Sequence, residues 1–125
     1  MNRGTPAVEE VLRYLNFIRN KRQEYFICLS LDSSGKVIKR RTVTIGLLDM
    51  SLAHPREVFA GPLKDRAASV IVAHNHPSGD PRPSKEDIRT TQQLAAAGIV
   101  LGIPLRDHVI VAEKSHYSFR KARLI

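Results

Sequence analysis

Apolar positions along the chain change their period several times, and each change marks an element. Val8, Val11, Leu12, Leu15 and Ile18 recur at helical spacing and define one face. Thr5-Pro6 ahead of them reads as an N-cap with proline at the first helical position, and Glu9 and Glu10 suit the positive helix end. Tyr25 to Leu31 is a short apolar run that predicts a strand. Ser33-Ser34-Gly35-Lys36 is a turn, and Val37 to Ile45 returns as the second arm of a hairpin. Pro55 opens a short helix that Gly61-Pro62 is expected to interrupt. Ala68 to Ala73, rich in β-branched residues, predicts a buried strand. Ser84 to Ala97 is an amphipathic helix, with Gly98 as its expected stop. Asp107 to Ala112 is a further strand, to which Tyr117-Ser118-Phe119 is expected to pair. Helices and strands interleave, so the fold class is α/β. No internal repeat or long linker divides it, and residues 1–125 are read as one domain with a flexible start over residues 1–5.

Composition narrows this only in places. A chain of 125 residues can bury one modest core. No apolar run is long enough to span a bilayer, so no membrane partner is expected. The first residues lack the apolar centre of a signal peptide. The single cysteine, Cys28, lies in an apolar strand and reads as a small buried hydrophobe; the reducing cytoplasm is the expected compartment. The net charge of +8 gathers at Arg19 to Arg22, Lys36 to Arg41 and Lys114 to Arg123. Such patches supply weak, non-specific attraction to nucleic acid, or form a solvated surface. No helix-turn-helix, helix–hairpin–helix or aromatic single-strand platform can be read.

The chemistry concentrates in His74-Asn75-His76-Pro77-Ser78-Gly79-Asp80-Pro81-Arg82-Pro83-Ser84-Lys85-Glu86-Asp87. Side chains alternate along a strand, so His74 and His76 leave its carboxyl end on one side. Asp87 falls in the first turn of the next helix, free to point back at both imidazoles. Two imidazoles and a carboxylate are a three-ligand set for zinc, with the fourth position left for water. A plainer reading stands beside it: Ser84 and Asp87 fit a capping pair. Capping does not account for the two same-sided histidines, and the readings can coexist. The letters His-Asn-His are not an HNH nuclease, whose residues spread over a longer unit.

The segment resembles the JAB/MPN metalloprotease signature: His-x-His, a seven-residue gap, Ser, two residues, Asp, with an upstream Glu. It is closest to the RadC-like branch, through His54-Pro55-Arg56-Glu57-Val58-Phe59, Ala73 to Asp80, Pro83-Ser84 and Asp107 to Val111. The resemblance runs from about Pro6 to the C-terminus. It implies a cytidine-deaminase-like JAB/MPN domain, a mixed sheet flanked by helices. It implies zinc on His74, His76 and Asp87, with Glu24 as general base and acid and Ser84 steadying the oxyanion. Glu57 competes with Glu24, but opens a helix, where an acid is expected anyway. Asn75 is expected to point away from the ligands. Asp107 and His108 are expected to support the ligands or the core rather than bind metal, and His54 and His116 to lie on the surface or in turns.

The expected function is zinc-dependent hydrolysis of an amide or isopeptide bond in a peptide or protein. The alternative is a nucleic-acid-associated module with a structural or vestigial metal site. Full-length RadC-like proteins usually carry an N-terminal helix–hairpin–helix region, which this sequence does not contain. Nor does it contain the long insertions by which ubiquitin-specific relatives hold their substrate.

Overall fold

The computed structural model describes residues 4–46 and 53–125. Nine elements follow in order: α1 (Val8–Arg13), a 3-10 turn (Asn16–Ile18), β1 (Glu24–Leu31), β2 (Val37–Gly46), α2 (Pro55–Asp65), β3 (Ser69–Asn75), α3 (Lys85–Leu101), β4 (Leu105–Val111) and β5 (His116–Ser118). The strands form one mixed sheet in the order β2-β1-β3-β4-β5. Only β3 and β4 run parallel, joined through α3; the other neighbours are antiparallel. This is the mixed sheet flanked by helices that the resemblance implies.

Each sheet face carries its own core. Phe26, Cys28, Val70 and Val72 pack with Val58 and Phe59 of α2 and Leu94 of α3. Ile27, Leu29, Ile71, Ala73 and Val109 pack on the other face with Val11, Leu15 and Ile18. β3 is buried along its whole length, which is why its sequence reads as a continuous apolar run and not as an alternation. Burial pushes the free Cys28 thiol up to about 12, so it is inert as a nucleophile.

Several boundaries differ from the sequence expectation. The N-cap of α1 is Ala7, not Thr5, and Pro6 lies outside the helix, where its carbonyl accepts a bond from Arg120 Nη2 at 3.1 Å. The helix ends at Arg13, and the chain tightens into the 3-10 turn. Leu15 and Ile18 stay on the apolar face because residues three apart eclipse in that geometry. Gly61-Pro62 does not interrupt α2. The helix runs through both residues with Pro62 buried, and closes at Arg66 in the left-handed region (φ 54°). Of residues 1–5, numbers 1–3 lie outside the described residues.

Gly98 is not the end of α3. The left-handed residue that caps it is Gly102 (φ 73°). Gly98 is buried in the last turn of α3, where a Cβ would meet the Ile103 carbonyl oxygen at 2.5 Å. Gly98→Ala should therefore lower stability, against its gain in helix propensity. Overpacking costs about 1–3 kcal/mol, and denaturant unfolding reads it. A more stable variant would show that α3 backs away freely.

Gly61 serves Arg41, whose side chain crosses it from β2 to form an ion pair with Asp65. That guanidinium, helped by the Ser30 hydroxyl at 2.8 Å, holds the Asp65 carboxyl down to about 2 from its ordinary 3.8. A depressed value contributes stability above the ordinary carboxyl range, lost as pH falls through about 2. Asp65→Asn should flatten the acid limb of the stability curve while lowering its neutral plateau.

Candidate metal centre

β3 delivers the two histidines as its alternation requires. His74 lies within the strand and is 1% exposed, and His76 follows one residue past its end. The His76 amide still bonds the Val111 carbonyl of β4 at 2.9 Å, which keeps the strand direction through the second histidine. Its Nδ1 lies 2.9 Å from the Asp80 carbonyl, so Nε2 turns inward.

Asp87 comes from the first turn of α3. A capping box forms, as the plainer reading expects: the Asp87 amide donates to Ser84 Oγ at 3.0 Å, and the Ser84 amide donates to Asp87 Oδ2 at 2.9 Å. The same carboxylate faces both imidazoles. His74 Nε2 and His76 Nε2 are 3.0 Å apart, His76 Nε2 to Asp87 Oδ2 is 3.1 Å, and His74 Nε2 to Asp87 Oδ1 is 3.3 Å. Zinc bonds of about 2.0–2.1 Å in tetrahedral array set ligand atoms about 3.3–3.4 Å apart. The two Nε2 atoms and the carboxylate oxygen nearest each of them, Oδ2 for His76 and Oδ1 for His74, lie at separations close to those between the ligands of such an ion. His74, His76 and Asp87 form a group able to hold a metal ion.

The electrostatics suit a cation. Burial alone would raise the Asp87 carboxyl, but bonds with His74 and His76 and from the Ser84 amide override it and hold it well below the usual carboxylate range. The Asp87 carboxylate raises His76 above its ordinary value, against burial and with help from the Asp80 carbonyl and from Glu24.

Glu24 opens β1, partly buried, opposite Gly46 in the β1–β2 register. It borders a recess of about 320 Å³ with Arg22, Gln23, Gly46 and Pro77. Glu57 is instead exposed on α2, 3.5 Å from Arg56. Ser84 is exposed, and its capping role uses an oxygen lone pair and leaves the hydroxyl proton free. His54 caps α2, accepting from the Arg56 amide at 3.1 Å, and His116 lies exposed on β5.

Asn75 points away from His74 and His76, toward the start of β1. Its Oδ1 takes the Tyr25 amide at 2.7 Å, and its Nδ2 donates to the Gln23 and Lys21 carbonyls at 3.0 and 3.3 Å. These bonds bracket Glu24. The sequence signal was a polar amide between two same-sided histidines at a buried strand end.

The Asp107-His108 pair divides. Asp107 organises the β5 end through Ser118 Oγ at 2.7 Å and the Arg120 amide at 2.9 Å. His108 turns to the other face, 2.8 Å from His74 Nδ1. The imidazole planes are fixed by near-parallel stacking, His74 on Phe26 (9°) and His108 on Phe119 (11°). Thr91, which carried no sequence signal, lies one turn beyond Asp87 on α3 and reaches His108 Nδ1 at 2.6 Å.

Part of the positive charge is structural. Arg19 Nη1 donates to the Ala112 and Ser115 carbonyls, Arg41 pairs with Asp65, and Arg120 is tied to Pro6. Arg19, Lys21 and Arg22 also line a recess of about 330 Å³ with Pro77 to Gly79 and Glu113.

The fold, with three residues able to hold a metal ion, is that of a JAB-type domain. The family model of the RadC-like JAB domain matches residues 5–124, and the chain belongs to that family. It is 46% identical over 128 residues to a UPF0758 protein of Methanospirillum hungatei, covering 94% of this chain and 57% of that one. It is 52% identical over 99 residues to a UPF0758 protein of Bacillus licheniformis, covering 79% and 44%. The UPF0758 protein YsxA of Bacillus subtilis is 46% identical over 118 residues, covering 94% and 48%. The chain thus spans about half the length of the curated relatives it matches. Among the described residues no helix is long and apolar enough to cross a membrane.

Proposed function

We propose that this chain is a zinc-dependent hydrolase acting on an amide or isopeptide bond of a peptide or protein in the cytoplasm. The observation that carries it is the convergence of His74 Nε2 and His76 Nε2, 3.0 Å apart, on the Asp87 carboxylate, whose Oδ2 lies 3.1 Å from His76 and whose Oδ1 lies 3.3 Å from His74. His74, His76 and Asp87 would hold the zinc, which when bound would supply Lewis acidity and lower the pKa of a bound water toward neutrality. The Glu24 carboxylate takes a proton from the attacking water and returns it to the leaving amine. Asn75 holds the backbone on both sides of that carboxylate. The spare Ser84 hydroxyl proton donates to the developing oxyanion. β2 is an edge strand whose last residue, Gly46, pairs with Glu24, so an extended peptide added along that edge runs toward the general base.

Elemental analysis of the purified protein and a peptide-library assay, with and without chelator, test this together. Stoichiometric zinc and chelator-sensitive cleavage are expected. Cleavage that survives removal of all metal sinks the reading.

The basic recess beside Pro77 favours a second reading, in which nucleic acid lies over the ligand loop. Such binding should be weak, fall steeply with salt and be indifferent to metal.

A further inference from the structure

His74 can ligate a metal through Nε2 only if its ring proton sits on Nδ1. That proton needs a buried acceptor, and metal-binding histidines are usually given a carboxylate or a backbone carbonyl. Here the group at 2.8 Å is another imidazole nitrogen, His108 Nε2. An imidazole accepts at that atom only if it is neutral and protonated on its far nitrogen. His108 is 1% exposed and set between Phe26 and Phe119, surroundings that disfavour an imidazolium. Its far nitrogen, Nδ1, lies 2.6 Å from Thr91 Oγ1, and that hydroxyl donates onward to the Asp87 carbonyl at 2.7 Å.

The run from His74 through His108 and Thr91 to the Asp87 carbonyl therefore has every proton placed and every acceptor filled, with His74 Nε2 left as a bare lone pair. The opposite polarity is also available. In it Thr91 donates to His108 Nδ1, His108 Nε2–H donates to His74 Nδ1, and His74 Nε2–H donates to the Asp87 carboxylate. Only a hydroxyl at position 91 serves both, since it accepts in the first and donates in the second.

We infer that Thr91 and His108 are positioning residues for His74: they let its proton move to Nδ1 when a metal ion binds without stranding a buried N–H. The inference rests on the metal reading of His74, His76 and Asp87. It assigns position 91 a part in metal affinity, although Thr91 lies outside the donor set.

Thr91→Val tests it by separating affinity from folding. Valine keeps the shape and removes the hydroxyl. In the metal-free variant the chain settles in the polarity that leaves only a bare nitrogen unpaired. In the loaded variant His108 Nδ1–H has no acceptor, and a buried unpaired donor is the costlier fault. Zinc affinity by competition titration should fall about ten- to a hundredfold, the usual effect of losing such a supporting group. Unfolding of the metal-free protein should change far less. Thr91→Ser should restore the affinity. Nitrogen-15 spectra of the histidine rings should show His74 and His108 both protonated at Nδ1 in the zinc-loaded parent, a reading that needs no variant to fold. Spectra showing His108 protonated at Nε2, or as an imidazolium, in the loaded parent would overturn the inference. So would a Thr91→Val protein that binds zinc like the parent, whether or not it is less stable. A parent that takes up no zinc overturns the metal reading and this inference with it; a parent that binds zinc alongside an unaffected Thr91→Val overturns the inference alone.

Discussion

Glu24→Gln should cut turnover of a cleavable peptide by about 10²–10⁴-fold, the usual worth of a positioned acid–base group, while zinc affinity stays close to the parent's. The amide keeps the size of the side chain and loses only the capacity to take a proton. Metal retention follows from position: Glu24 opens β1, whereas His74, His76 and Asp87 belong to the end of β3 and the start of α3. Its reach is electrostatic, since the Glu24 carboxylate helps raise His76. Initial rates and a zinc titration on the same preparation check both halves. The result that would sink the assignment is full activity in Glu24→Gln beside a dead Glu57→Gln.

His76→Ala should weaken zinc binding by roughly a hundredfold or more. Zinc sites in small peptides are worth about 10–16 kcal/mol, so one ligand in four carries roughly 3 kcal/mol, about two decades in affinity. His76 is the cleanest ligand to remove. It stands past the end of β3 and is partly exposed, so metal-free stability should change by less than about 1 kcal/mol. His74→Ala and Asp87→Ala should abolish stoichiometric zinc binding, with the fold largely retained. They disturb more, because His74 is buried against His108 and Asp87 closes the α3 capping box. Calorimetry with added zinc decides it: unchanged affinity in these variants would mean that the ion is held elsewhere.

Much of this site was legible because its geometry is local. Strand alternation alone sets His74 and His76 on one side, and a helix start alone places Asp87 in the first turn of α3. The family resemblance, not the spacing, singled out Glu24, since a charged residue at a strand start has no distinctive pattern. Thr91, the bond between His108 and His74, and the clamp of Asn75 on the Glu24 segment were hidden for another reason. They depend on which strands lie side by side and on how α3 crosses them, and no short window of sequence holds that information. The misread stops have a similar cause. Gly98 and Gly61 look like helix ends, yet each is a glycine because another part of the chain approaches closely, the Ile103 carbonyl in one case and the Arg41 side chain in the other. At Pro6 the tertiary bond to Arg120 outweighed a strong local start signal.

Parity along β3 carries a consequence for how the site comes into being. The even-numbered His74 and His76 face Asp87, while the odd-numbered Asn75 between them holds the backbone on either side of Glu24. Sliding the strand by a single residue would exchange the two sides, turning the imidazoles toward α1 and the amide toward α3. Such a slip would scatter the ligands and release the carboxylate in one stroke, so neither half survives without the other. A chain whose central strand pairs out of register with β1 and β4 would therefore bring neither His74 and His76 to Asp87 nor Asn75 to the start of β1.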